Sequence, residues 1–197
     1  MSEETPSPDK KTTQKSSKFL VKVSLTALFA ALTAAGAFIA IPIGPVPIVL
    51  QNLFALLSGL ILGPFLGGAA VCLYLLAGIL NFPVYAGGTG GIAHFAGPTG
   101  GFLIGYLLAA LSAGLIAGRP KPDQKNKLPR LIAAVAVGFL IVYVPGVAWL
   151  KISRNMDWAR AFMAGFVPFI IGDVLKGIVA VLIARRLRKI AAEHLNG

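Results

Sequence analysis

Long apolar segments, separated by short polar or glycine-rich stretches, make up most of this sequence. They cover residues 19–41, 47–63, 64–85, 98–118, 131–150 and 161–184. A helix needs about 20 predominantly apolar residues to cross the hydrocarbon core of a bilayer, and each segment comes close to that length. The pattern therefore predicts an all-α integral membrane protein, a compact bundle of six transmembrane helices over residues 19–189.

The two ends of the chain are polar. Residues 1–18, MSEETPSPDKKTTQKSSK, are rich in Ser, Thr, Pro and Lys, a composition that cannot bury enough apolar surface to fold. We expect a disordered cytoplasmic tail there and a short cytoplasmic tail at residues 190–197. The acidic residues Glu3, Glu4 and Asp9 do not match the basic start of a cleaved signal peptide.

The net charge of +11 comes mainly from basic residues that flank the apolar segments. They concentrate at residues 10–22, 119–130 and 185–189, which lie on one side of a six-span protein. Because Lys and Arg are enriched in cytoplasmic loops, both termini are predicted to be cytoplasmic. Hydrophobic residues make up 56% of the chain and charged residues only 13%. We therefore expect a multi-pass protein of the cell membrane, in contact with the lipid bilayer and without a nucleic-acid partner.

The loop after the third apolar segment is unusually rich in glycine, with seven Gly among residues 87–101. A flexible linker would carry Ser, Lys or Glu, whereas this loop carries Phe82, Tyr85, His94 and Phe95. We interpret it as an ordered cap over a site between helices.

The last apolar segment contains two charged residues, Asp173 and Lys176. Three positions apart on a helix, they share one face. Charged side chains inside a span are rare, and they face a cavity or a partner. The pair is either a structural ion pair or part of a ligand site. Gln51, Asn81 and His94 map to the same half of the bundle, which favours a pocket open to the outside.

Small residues recur at every fourth position of the first span: Ala27, Ala31 and Ala35. Such a stripe lets another helix approach closely. It indicates either packing within the bundle or docking of another membrane subunit. A second ridge in the fourth span, formed by Gly101, Gly105, Ala109, Ala113 and Ala117, is interpreted as internal packing.

The run GGTGGIAHFAGPTGGFLIGY, the preceding Asn81 and the Asp173–Lys176 pair resemble the BioY family. BioY proteins are the biotin-binding S components of energy-coupling factor (ECF) transporters, and the resemblance covers all six spans. It implies a subunit that captures vitamin outside the cell. A transmembrane coupling subunit and two cytoplasmic ATPases then drive its delivery. Ala27, Ala31 and Ala35 are similar to the surface that docks on the coupling subunit.

The resemblance also implies a set of ligand contacts. Asp173 would accept from a ureido N–H of biotin, Lys176 would donate to the ureido carbonyl, and Asn81 could do both. Phe82, Tyr85, Phe95 and the glycine backbone, including Gly100, would surround the apolar part. For the carboxylate, His94 is the only ionisable candidate in the loop, with Gln51, loop N–H groups and Lys151 as alternatives.

Two other functions are compatible with parts of the pattern. One is an S component for a thiamine- or lipoate-like vitamin. The other is an intramembrane enzyme, which would need a nucleophile–base pair or a metal cluster. His94 and His194 are the only histidines, and Cys72 is the only cysteine. We therefore predict no catalytic residue, metal or cofactor. The sequence lacks the nucleotide-binding motif G-x-x-x-x-G-K-[ST], so ATP hydrolysis is expected in partner subunits.

Overall fold

The computed structural model describes residues 8–121 and 128–196, with side chains for residues 16–121 and 128–195. Its helices are α1 (Pro8–Phe38), α2 (Gln51–Leu62), α3 (Pro64–Ile79), α4 (Ile92–Phe95), α5 (Gly100–Ala117), α6 (Leu128–Ser153), α7 (Trp158–Gly165) and α8 (Ile170–Asn196). A 3₁₀ turn, Val167–Phe169, joins α7 to α8. Strands β1 (Ala40–Ile41) and β2 (Ile48–Val49) form a short antiparallel hairpin between α1 and α2. The described part of the chain is thus mostly helical, in agreement with the predicted class, and this two-residue-per-strand hairpin is an addition to it.

The length of the helices separates them into two groups. Among the described residues, four helical stretches are long and apolar enough to cross a bilayer: Ser16–Phe38, Gly100–Ala117, Leu128–Ser153 and Trp158–Leu195. α2 and α3 are equally apolar but have only 12 and 16 residues. At 1.5 Å per residue they reach about 18 and 24 Å, less than the roughly 30 Å of the hydrocarbon core. The structure therefore supports a multi-pass membrane protein, while helix length alone does not establish six crossings.

Both predicted tails are largely helical where the structure describes them. α1 begins at Pro8, so residues 8–18 continue the first helix, and residues 1–7 lie outside the described ranges. α8 continues to Asn196 because Ala191 and Leu195 are buried against the core. The polar composition of these ends therefore did not define where the helices begin and end.

α5 is the central helix, and it packs against α2, α3 and α6. All five small residues of its predicted ridge are buried. A Cβ added to Gly105 would collide with the backbone of Val142 in α6. On the opposite side, a Cβ on Gly59 of α2 would collide with the backbone of Ala110 in α5. The interpretation of the ridge as internal packing is confirmed. At Gly59 and Gly105 the neighbouring helix backbones lie in direct contact, because glycine places no side chain between them.

Arg188 connects α8 by hydrogen bonds to the C-terminal ends of α2 and α5. Its side chain is buried, and it donates hydrogen bonds to the carbonyl oxygens of Leu60, Ala117 (3.1 Å) and Gly118 (2.8 Å). Carbonyls in the last turn of a helix have no partner within that helix. One guanidinium therefore supplies donors to the last turns of α2 and α5 and fixes α8 against both.

The close contact of α2 with α5 leads to a stability prediction. Gly59→Ala should destabilise the protein by about 1–3 kcal/mol, because the new methyl group forces the two backbones apart. Gly172→Ala is the matched control, since no atom lies within 4 Å of its added methyl group. Thermal unfolding in detergent should show a lower Tm for Gly59→Ala only. Equal Tm values for the two variants would contradict the proposed close packing.

Candidate functional site

Four polar side chains from three helices meet inside the bundle: Asn52 of α2, Tyr143 of α6, and Asp173 and Lys176 of α8. We call them the polar cluster. Lys176 Nζ lies 2.9 Å from Asp173 Oδ1, which also accepts a hydrogen bond from Asn52 Nδ2 at 3.0 Å. Asn52 Oδ1 accepts from Lys176 Nζ at 3.0 Å, and Tyr143 donates to the second carboxylate oxygen. The cluster thus contains a buried ion pair bound by two neutral side chains.

The local sequence explains why these groups meet. Asp173 lies in the first turn of α8, just after the 3₁₀ turn, where the N-terminal end of the helix dipole favours a negative charge. Lys176 follows one turn later on the same face. Asn52 lies in the first turn of α2, directly after the hairpin. Among the described side chains, no buried polar atom lacks a hydrogen-bond partner, as the high cost of unpaired polar groups requires.

Gln51 belongs to a second network beside the polar cluster. Its Oε1 accepts a hydrogen bond from Tyr74 at 3.0 Å, and its Nε2 donates to Tyr106 at 3.3 Å. Tyr106 lies in α5 and lines a cavity beside each of the two networks. Both networks therefore adjoin the same aromatic side chain.

Two small cavities adjoin these networks. Both are walled by Phe102 and Tyr106 of α5 and by hairpin residues Val46, Pro47 and Val49. The first, of about 20 Å³, is lined by all four residues of the polar cluster. The second, of about 10 Å³, is lined by Gln51, His94 and Thr99. Since a single water needs about 10–15 Å³, neither cavity holds a larger organic molecule unless residues of its wall move.

The glycine loop forms one wall of the second cavity and is held by hydrogen bonds. Nδ1 of His94 lies 2.9 Å from the Thr89 hydroxyl, and its Nε2 lies 3.3 Å from that of Thr99. Partial burial lowers the pKa of His94 below its ordinary value of 6.5, so the ring is neutral at pH 7. Tyr85 stacks on this ring and donates to the Leu75 carbonyl at 2.7 Å. The loop is therefore an ordered structure anchored on α3, as predicted.

Comparison with known proteins identifies the family. The model of the BioY family matches residues 9–193. The chain belongs to the BioY family. A probable biotin transporter BioY of Pyrococcus horikoshii is 44% identical over 167 residues, which is 85% of this chain and 96% of that protein. The biotin transporter BioY of Thermotoga maritima is 41% identical, over 85% of this chain and 95% of its own length.

A solved structure agrees with this assignment. The crystal structure of the S component for biotin from an ECF-type ABC transporter superimposes with a TM-score of 0.78 at 32% identity. The match covers 94% of this chain and 95% of that protein. The BioY resemblance inferred from the sequence is thus confirmed, and the fold of the chain is that of an S component.

The structure brings together some of the predicted site residues of this BioY-family chain. Asp173 and Lys176 line the first cavity, while Gln51 and His94 line the second. These four residues therefore remain candidates for ligand contacts, two at each cavity.

Other predicted residues lie elsewhere and line neither cavity. Asn81 and Phe82 are exposed in the loop after α3, and Asn81 has a positive φ of 72°. Tyr85 is fully buried behind the loop. Gly100 begins α5, where an added Cβ would collide with the carbonyl of Phe95. The alternative Lys151 lies over the Trp158 ring, 5.3 Å from its centroid. Ligand contacts by these five residues stay predictions.

Sequence reasoning missed three polar residues of this BioY-family site: Asn52, Tyr106 and Tyr143. Each is a hydrogen-bonding side chain inside an apolar segment. In a bilayer such groups need a partner within the protein. A polar residue inside an apolar segment is therefore predicted to face the interior of the bundle. The sequence does not reveal which of these polar residues contact one another, since their pairing depends on how the helices pack.

The alanine stripe of α1 lies on the outside of the bundle. Ala27, Ala31 and Ala35 are all exposed. The opposite face of α1, which includes Thr26, Phe29, Thr33 and Ala37, is buried. α1 therefore packs on α2 and α3 without using the stripe, and internal packing does not account for it.

Proposed function

We propose that this chain is a biotin-binding S component, the subunit that captures the vitamin for an ECF-type ABC transporter. The observation that carries the proposal is the buried Asp173–Lys176 pair, whose polar atoms lie 2.9 Å apart at the wall of a cavity. Membership of the BioY family and the likeness to the solved S component for biotin support it.

The polar cluster matches the ureido ring of biotin. That ring carries two N–H donors and one carbonyl acceptor. Asp173 provides a charged acceptor and Lys176 a charged donor within one helical turn. Hydrogen bonds to charged groups contribute about 1.5–3 kcal/mol each. Nanomolar binding requires about 12 kcal/mol, to which these bonds and burial of the bicyclic ring would both contribute.

The second cavity suits the other end of biotin. Phe102, Leu103 and Tyr106 present apolar surface between the two cavities, which fits the hydrocarbon chain. Gln51, His94 and Thr99 then supply the polar groups for the carboxylate. Because His94 is neutral at pH 7, it would donate a hydrogen bond rather than a full positive charge. A thiamine- or lipoate-like vitamin, the alternative, lacks a ureido group to match Asp173 and Lys176.

The proposal includes an orientation in the membrane. Six crossings follow if the short helices α2 and α3 cross together with α1, α5, α6 and the α7–α8 stretch. Lys22, Arg119, Arg130 and Arg185 then lie on one side. By the positive-inside rule this side and both termini are cytoplasmic. The hairpin and the glycine loop then face outward, where biotin is captured.

The partners expected are a transmembrane coupling subunit and two cytoplasmic ATPases, since the sequence carries no nucleotide-binding motif of its own. The stripe Ala27, Ala31 and Ala35 is the proposed docking surface. It is exposed, and its small side chains permit close helix–helix contact. We assign this chain no catalytic residue and no cofactor.

A large side chain on the alanine stripe of α1 should block assembly with the coupling subunit. Ala31→Trp should abolish co-purification with the coupling subunit and leave biotin binding intact, because the indole prevents close approach of a helix. Val144→Trp is the control, placed at an exposed position of α6. Co-purification of Ala31→Trp at the level of the control would assign the stripe to the lipid-facing surface.

The ligand role of the ion pair is tested by Asp173→Asn. Removing one member of a buried pair costs about 3–5 kcal/mol, so the Kd for biotin, measured by calorimetry, should rise at least a hundredfold. Asp157→Asn is the control, because Asp157 caps α7 on the surface. Thermal stability is measured for both variants. If Asp173→Asn unfolds easily yet binds biotin like the control, the pair is structural and the proposal loses its main support.

A further inference from the structure

Asn52 makes the two hydrogen bonds that a ureido group would make with the ion pair. Its Oδ1 accepts from Lys176 Nζ at 3.0 Å, and its Nδ2 donates to Asp173 Oδ1 at 3.0 Å. A carboxamide carries a carbonyl acceptor and N–H donors on the same carbon, as one edge of a urea does. The Asn52 side chain therefore occupies the polar cluster in the manner of a ligand with matching chemistry.

The cavity on the hairpin side of the cluster has no room for a second such occupant. It measures about 20 Å³, far less than a bicyclic head group requires. Asp173 Oδ1 already accepts from both Asn52 and Lys176, and the second carboxylate oxygen accepts from Tyr143. A ureido group that makes the same pair of hydrogen bonds from this side must take the position held by the Asn52 carboxamide.

We propose that the Asn52 carboxamide is an internal competitor for the head-group subsite, which leaves Asp173 and Lys176 when biotin binds. The inference rests on the proposed function. It adds a residue, Asn52, that lowers the affinity for biotin without binding the ligand itself. Between binding events, Asn52 satisfies two charged groups that are costly to leave unpaired within a span. Ligand affinity is then reduced by the fraction of molecules in which Asn52 is engaged.

The test is Asn52→Leu, which keeps a similar size and removes both hydrogen bonds. Without biotin, its thermal stability should be lower than that of the wild type. Its Kd for biotin should be about tenfold lower, which corresponds to about 1.4 kcal/mol. The gain should come from faster association, with little change in the dissociation rate. Asn52→Ala is a second variant that should change the Kd in the same direction.

Ser58→Ala is the matched control on the same helix. Ser58 is fully buried and donates to the carbonyls of Ala55 (2.7 Å) and Gly67 (3.1 Å). Its loss should lower stability and leave the Kd for biotin unchanged. The control therefore separates a general weakening of α2 from a specific effect at the polar cluster.

Several outcomes overturn the inference. If both Asn52 variants bind biotin as tightly as the wild type or more weakly, Asn52 does not compete, and the proposed function still stands. If neither variant folds, the Asn52 contacts are indispensable to the structure and are not displaced by a ligand. If the wild-type chain binds no biotin, the proposed function is wrong and the inference falls with it.

Discussion

The buried ion pair between Asp173 and Lys176 is the constraint on which the rest of this structure depends. Two charges inside a membrane span are stable only if their geometry is good and their remaining hydrogen-bonding groups are satisfied. Here the partners come from two other helices, Asn52 of α2 and Tyr143 of α6. The requirement to satisfy one pair of charges therefore fixes the mutual positions of α2, α6 and α8.

The contact of α8 with α2 is reinforced near the other end of α8. Arg188 donates to the last turns of α2 and α5, so α8 is bound to its neighbours at two levels. Between these levels the helices approach closely through glycine and alanine, as Gly59 and Gly105 show. The hairpin lines both small cavities, and the glycine loop lines the second. We therefore expect these two segments to move when a ligand enters.

The division of the chain into apolar helices was predictable, because burial in a bilayer imposes a length and composition that can be read directly. That Asp173 and Lys176 would find partners inside the bundle was predictable for the same reason, since charges in a span are costly. Helix ends were harder to place: α8 extends to Asn196 because Ala191 and Leu195 find buried neighbours, which no local pattern reveals.

In the glycine loop, the direction of each side chain could not be predicted from the sequence. Aromatic and amide groups suit biotin, so the sequence favours Tyr85 and Asn81 as ligand contacts. In the structure Tyr85 is buried and Asn81 is exposed, and their contacts with a ligand stay predictions. A glycine-rich loop has no periodicity from which the direction of a side chain follows. Asn52 was missed for the opposite reason. Its partners lie more than 100 positions away in sequence, and only the packing of α2 against α8 brings them together.

The most direct test of this account is an experimental structure of the chain with biotin bound. Our account predicts the ureido ring at the polar cluster, with an N–H within about 2.7–3.2 Å of an Asp173 carboxylate oxygen and the carbonyl equally close to Lys176 Nζ. It is contradicted if biotin lies elsewhere in the protein while Asp173 and Lys176 keep only the protein partners described above.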